Sequence, residues 1–207
     1  MDTVTFIITG IVFGLTAGIS PGPLFTLVIT ETLTHGKTEG IKVAIVPLLT
    51  DIPIILAAVF LLSKLNDFDS ILGVISLLGG LFIIYLGISS LKVKDMDIDA
   101  VRIKPKSIRK GIIVNTLNPH PYIFWITIGV PLVFKSFNIN LGTAVVFILS
   151  FYVFLVGSKV MIALLVDKSR NFLKNKYYRR IMRALALVLL LFAVIFIREG
   201  LQLFGIL

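Results

Sequence analysis

Ile19-Ser20-Pro21-Gly22-Pro23 stands in the middle of the chain's first long apolar stretch, and a continuous helix does not pass easily through it. Each proline lacks a backbone donor, and its ring disfavours helical geometry in the residue before it. A second interruption, Asn118-Pro119-His120-Pro121, lies in the middle of the fourth apolar stretch. In a bilayer such a break survives only where it is buried in protein or lines a polar cavity. Two breaks at corresponding places in two halves of a chain point to a substrate site between structural repeats.

Composition places these stretches in a membrane. The 207 residues are 57% hydrophobic with mean hydropathy +1.02, and only 15% are charged against about 25% in an ordinary soluble domain. The length suits one compact bundle, so residues 1–207 are expected to form a single membrane domain. No cysteine is present, which removes disulfides, thiolate metal sites and thiol relays. With only His35 and His120 as imidazoles, no metal site or cofactor is expected. The net charge of +9 sits in short loops between apolar spans, as the positive-inside rule produces, so nucleic acid is not an expected partner. Met1-Asp2-Thr3 lacks the basic start of a cleavable signal, and Ser20-Pro21 does not resemble a cleavage site.

Six apolar stretches are each long enough to cross about 30 Å of hydrocarbon. They run approximately from Val4 to Thr30, Gly40 to Leu62, Ile71 to Leu91, Gly111 to Phe134, Leu141 to Val166 and Ile181 to Ile197. The expected fold is an all-α integral membrane protein of six transmembrane helices in two inverted three-helix repeats, with helices 1 and 4 broken at Pro-x-Pro. Repeat one covers about 1–91, a basic loop 92–110, and repeat two about 111–207. Laying Pro21 over Pro119 also places Pro23 over Pro121, Phe25 over Ile123 and Ile29 over Thr127, at a constant offset of 98 residues. Three spans per half require the halves to be inverted. Short polar turns are expected at 31–39 and 63–70, and a second basic loop at 167–183, where Tyr177 and Tyr178 suit an interfacial belt. Sixteen of the twenty Lys/Arg fall on the face holding 31–42, 92–110 and 167–183, against three on the other. This predicts a multi-pass protein of the cell membrane with both termini extracytoplasmic.

Few polar groups lie inside the spans. Asp51 is the only carboxylate within the second, near its centre, where a charge costs at least about 2.5–3.5 kcal/mol on insertion scales. It needs a partner, a wet cavity or a proton; capping a broken helix is the structural alternative. Lys159 is the one ionisable group of the fifth span and either pairs with Asp51 or snorkels to the interface. Asn115 and Asn118 precede the second break. Gly10, Gly14, Gly18 and Gly22 share one helix face. Gly10 and Gly14 read as close helix packing, whereas Gly22, between two prolines, is placed to expose backbone to a ligand. Such stripes serve contacts within a chain or between copies, so a homo-oligomer is possible.

Ser20-Pro21-Gly22-Pro23, the Gly36…Gly40 turn, Asp51 within the second span and Asn115-x-x-Asn118-Pro119 in the fourth together resemble the lysine exporter (LysE/RhtB) family. The resemblance covers the whole chain in length, span count and motif order. It implies export of amino acids or similar small metabolites from the cytoplasm, driven by the proton motive force. The alternative is an ion exporter, for an anion or a metal cation, of the same superfamily. An enzyme is not expected, because the spans offer one Asp, one Lys and one His at unrelated places. In an exporter, half-helix N-termini beside Pro21, Pro23, Pro119 and Pro121 would aim N–H groups at a substrate carboxylate. Freed carbonyls and Asn118 would take the amino group. Burial favours the protonated form of a carboxylate, which makes Asp51 the candidate for proton coupling.

Overall fold

The computed structural model describes residues 2–62, 68–91, 105–170 and 175–206. The expected turn at 63–67, the greater part of the basic loop (92–104) and residues 171–174 of the second basic stretch lie outside the described residues.

The helix boundaries of the first half up to Pro47 have local causes. Helix α1, Thr3–Ile19, is capped by Asp2, whose carboxylate accepts from the Thr5 N–H and hydroxyl. Those bonds hold the exposed Asp2 carboxyl below its ordinary range. The chain leaves the helix at Ser20, ahead of Pro21. Pro23 then opens α2, Pro23–His35, at a position where a missing N–H has no consequence, and the two axes differ by 60°. Gly36 ends α2 at φ 91°, a backbone setting that side chains resist. Helix α3, Lys37–Ala44, follows at once and meets α4, Val46–Leu62, at Ile45, two residues ahead of Pro47. Helix α5 is Phe68–Leu91.

The fourth apolar stretch is not one helix. It comprises α6, Ser107–Thr116; α7, Pro119–Phe124; a π-helical turn, Trp125–Gly129; and α8, Val130–Phe137. Asn118 caps α7, its Oδ1 accepting from the His120 N–H at 3.0 Å. Residues 107–110, expected to be loop, form the first turn of α6. Likewise α9, Leu141–Arg170, and α10, Asn175–Leu203, extend well into the stretch expected to be a second loop. Basic side chains favour a helix only at its C-terminal end, as on α9, yet α6 and α10 begin in basic sequence, so charge alone is a poor marker of where a span's helix starts or stops. Among the described residues, four helical stretches are long and apolar enough to cross a membrane, one of them running through α3 into α4, or five when α1 and α2 count as one bent span.

The chain is built inside out relative to a soluble bundle. On α1, Val4, Ile8, Val12 and Ile19 are exposed, while Gly10, Gly14 and Gly18 face inward. A β-carbon on Gly14 would lie 2.3 Å from the Phe151 carbonyl oxygen, and one on Gly10 2.7 Å from that of Phe147. Gly18 meets Leu155 and Ser158 in the same way. The contacts advance together along both chains, so α1 and α9 run parallel at backbone contact. In lipid, apolar side chains gain little by leaving the bilayer, and close packing of this kind holds helices together.

Two further pairings complete the frame. Helix α4 and the α3 end contact α6 in parallel, with Val46 on Gly111 and Thr50 on Asn115. Helices α5 and α10 run antiparallel, with Gly73 against Phe204, Gly80 against Ile197 and Gly87 against Leu190. Buried side chains form two principal clusters. One contains α2, α3 and α6 residues such as Leu27, Val43 and Val114. The other joins α1, α4 and the α7–α8 region through Phe13, Ile54 and Trp125. The helix breaks divide the core between them.

Candidate functional site

A cavity of about 230 Å³ opens where both breaks meet. From the first break it is lined by Ser20, Pro21, Gly22 and Pro23, and from the second by Asn118, His120 and Pro121. Helix α4 contributes Pro47 and Asp51, α6 Asn115, and α9 Lys159. Eight of the nine residues singled out in the sequence therefore share one wall. Pro119 is the exception: it is buried as the first residue of α7 and does not line the cavity. A β-carbon on Gly22 would meet nothing within 4 Å, unlike those on the three glycines before it in the stripe.

Asp51 is 4% exposed. Its Oδ1 accepts from Asn115 Nδ2 at 3.3 Å, and its Oδ2 from the Tyr152 hydroxyl at 3.1 Å. Asn115 also donates to Thr50 Oγ1 at 2.7 Å. The α4 carboxylate thus ties the first half of the chain to α6 and α9 of the second, which supply both donors.

Lys159 is also 4% exposed, and it neither snorkels nor forms one of the ion pairs among the described residues. Its Nζ donates to the Ala17 carbonyl at 3.1 Å and the Gly18 carbonyl at 3.0 Å. The break at Pro21–Pro23 removes the N–H groups that would have continued α1, and the ammonium takes carbonyls left at that end. Lys159 and Asp51 still attract each other across the site. Asn118 is also committed: Oδ1 accepts from its own helix and contacts His120 Nδ1 at 3.1 Å. That oxygen is a helix cap and is not left over for a ligand. The His120 ring stacks on Phe196 with centroids 5.7 Å apart.

Sequence reasoning gave no role to Tyr152, although it stands seven residues before Lys159, two turns along the same face of α9. It also overlooked a polar cluster toward the basic end. Glu31 of α2, 3% exposed, accepts from Ser107 Oγ at 2.5 Å and Lys110 Nζ at 2.6 Å, both on α6. His35 lies 3.9 Å from the same carboxylate. Nearby, the Asp167 carboxylate of α9 accepts from the Lys37 N–H at 3.0 Å, at the start of α3. The available signal was an acidic residue one turn before a histidine at the end of an apolar run.

No curated protein and no solved structure matches the chain. The profile of the LysE type translocator family, however, matches residues 15–200, a range that takes in both breaks and every residue of the cavity wall, and the chain belongs to that family of multi-pass membrane transporters.

Proposed function

We propose that this translocator is a secondary exporter of amino acids or similar small metabolites, moving them out of the cytoplasm in exchange for protons. The observation that carries the reading is the meeting of two interrupted helices at one cavity whose wall, among the described residues, holds a single carboxylate, Asp51. Interrupted helices present unpaired backbone groups to a substrate at mid-membrane. A buried carboxylate on one helix with donors from two others can exchange a proton as those helices move apart.

The chain crosses the membrane six times, as two inverted repeats: α1 to α5, and α6 to α10. The pairing of helices supports this. In a three-plus-three inverted arrangement, the first span of each half runs parallel to the second span of the other, and the two third spans are antiparallel. The α1–α9, α4–α6 and α5–α10 contacts follow that pattern. The basic loops then face the cytoplasm and both termini lie outside. Rocking of the halves about the cavity exposes Asp51 to each side in turn.

The test is export of preloaded labelled amino acids, from cells or inverted vesicles, by the native chain and by Asp51→Asn, with and without an uncoupler. Asparagine preserves the shape of the site and one of its two acceptor oxygens while abolishing the titration. Export that collapses with the uncoupler and in Asp51→Asn, with the protein still in the membrane, is the expected outcome. Export that survives both would remove Asp51 and the proton from the mechanism.

A further inference from the structure

We propose that the substrate is a zwitterionic amino acid with an uncharged, apolar side chain, of the leucine or phenylalanine kind, in preference to a basic or acidic one. This rests on the exporter reading above and deepens it.

The fixed charges on the cavity wall number one of each sign among the described residues: the Asp51 carboxylate and the Lys159 ammonium. Lys159 spends two of its three N–H donors on Ala17 and Gly18, and one remains. An α-ammonium and an α-carboxylate satisfy this pair and leave no wall charge over. The third ionisable group, His120, has Nδ1 engaged with Asn118 and its ring face against Phe196.

Apart from Ser20, Asn115, Asn118 and His120, the rest of the wall is apolar. Phe25, Phe124, Trp125, Phe151, Phe192 and Phe196 surround the polar pair, and Phe124 stacks on Phe151 with centroids 5.4 Å apart. A lysine or arginine side chain entering here would need a second carboxylate, and a glutamate side chain a second cation. The described wall holds no second carboxylate, and its one further imidazole, His120, is engaged at Nδ1 and stacked on Phe196; an unpaired charge among apolar side chains is strongly disfavoured. A leucine or phenylalanine side chain instead gains contact with the rings. At about 230 Å³ the cavity lies below the roughly 300–1,000 Å³ of drug-sized ligand sites, which limits the occupant to a single small molecule.

The experiment is counterflow into liposomes bearing the full chain, comparing labelled leucine, phenylalanine, lysine and glutamate. Unlabelled isoamylamine and 4-methylpentanoate, which are leucine without its carboxylate and without its amine, serve as competitors of leucine. Leucine or phenylalanine is expected to exchange at least about tenfold faster than lysine or glutamate, the low end of what apolar pocket contacts alone discriminate. Neither single-charge analogue should compete as leucine does. Preference for lysine or glutamate, no preference among the four, or full competition by either analogue would overturn the inference while leaving amino-acid transport in place. Exchange of none of the four would overturn this inference, and the exporter reading falls with it only if the wider panel of labelled amino acids also shows no export.

Discussion

The Lys159 ammonium of α9 closes the broken end of α1, donating to the carbonyls of Ala17 and Gly18 at 3.1 and 3.0 Å. A helix interrupted in a membrane leaves acceptors that water cannot reach, and here one side chain from the other half of the protein supplies the donors. Lys159→Met removes them while keeping the length of the stem. Each buried group left unpaired costs about 1–3 kcal/mol, so the variant should melt at lower temperature in detergent. Amides around Ser20 to Leu24 should also exchange faster as the end of α1 frays. Unchanged exchange there would show that the ammonium does not hold the break.

The Glu31–Lys110 pair yields an asymmetric prediction. The Glu31 side chain is 3% exposed and that of Lys110 32%, so each loses a different environment when its partner goes. Lys110→Met strands a buried carboxylate with Ser107 and His35 for company and should cost about 2–3 kcal/mol, below the range for a fully buried pair. Glu31→Gln keeps an acceptor for Ser107, and Lys110 reaches water, so about 1 kcal/mol is expected. Thermal unfolding of both in one detergent measures the difference; equal losses would mean the burial contrast has no energetic weight.

Glycines on the two sides of α9's partnership differ sharply. Gly14→Val places atoms where the Phe151 backbone already stands, 2.3 Å from the β-carbon position. It should prevent assembly of a monodisperse protein, as read by size-exclusion chromatography. Gly157→Ala, on α9 itself, meets nothing within 4 Å. It should be neutral or stabilise by up to about 1 kcal/mol through the alanine helix preference. If Gly14→Val purified and melted like the native chain, the seam would not be essential.

Gly22 separates folding from transport. Its φ of −171° is open to any residue, and a β-carbon there projects into empty space on the cavity wall. Gly22→Leu should leave the melting temperature nearly unchanged and reduce substrate flux severely, with Gly22→Ala intermediate. Flux unaffected by leucine would place the pathway elsewhere.

How far these features could be read beforehand depended on how local their causes are. The breaks at Pro21–Pro23 and Pro119–Pro121 follow from proline's missing donor, and a lone Asp51 among apolar neighbours announces itself by the cost of its charge. The destination of Lys159 is not local: choosing between Asp51, the interface and the end of α1 requires the rotation and depth of α9 relative to α1. Glu31 was lost in a stretch taken as turn because its partners, Ser107 and Lys110, come 76 and 79 residues later. The division of residues 111–134 into short helices and a π-helical turn was hidden for another reason. Pro119 and Pro121 mark the first break there, but Gly129 and Pro131, at the junction of the π-helical turn and α8, do not by themselves specify a change in winding.

The seam between α1 and α9 has a mechanical meaning. Three successive turns of α1 rest on the α9 backbone with no room for a methyl group, so neither helix can slide or roll past the other without lifting away. The two form a stiff mast, and the 60° elbow at Ser20–Gly22 is the first joint above it. Probes attached along α1 and α9 should keep a constant separation through a transport cycle. They provide an internal ruler against which the swing of α2 and α6 can be measured.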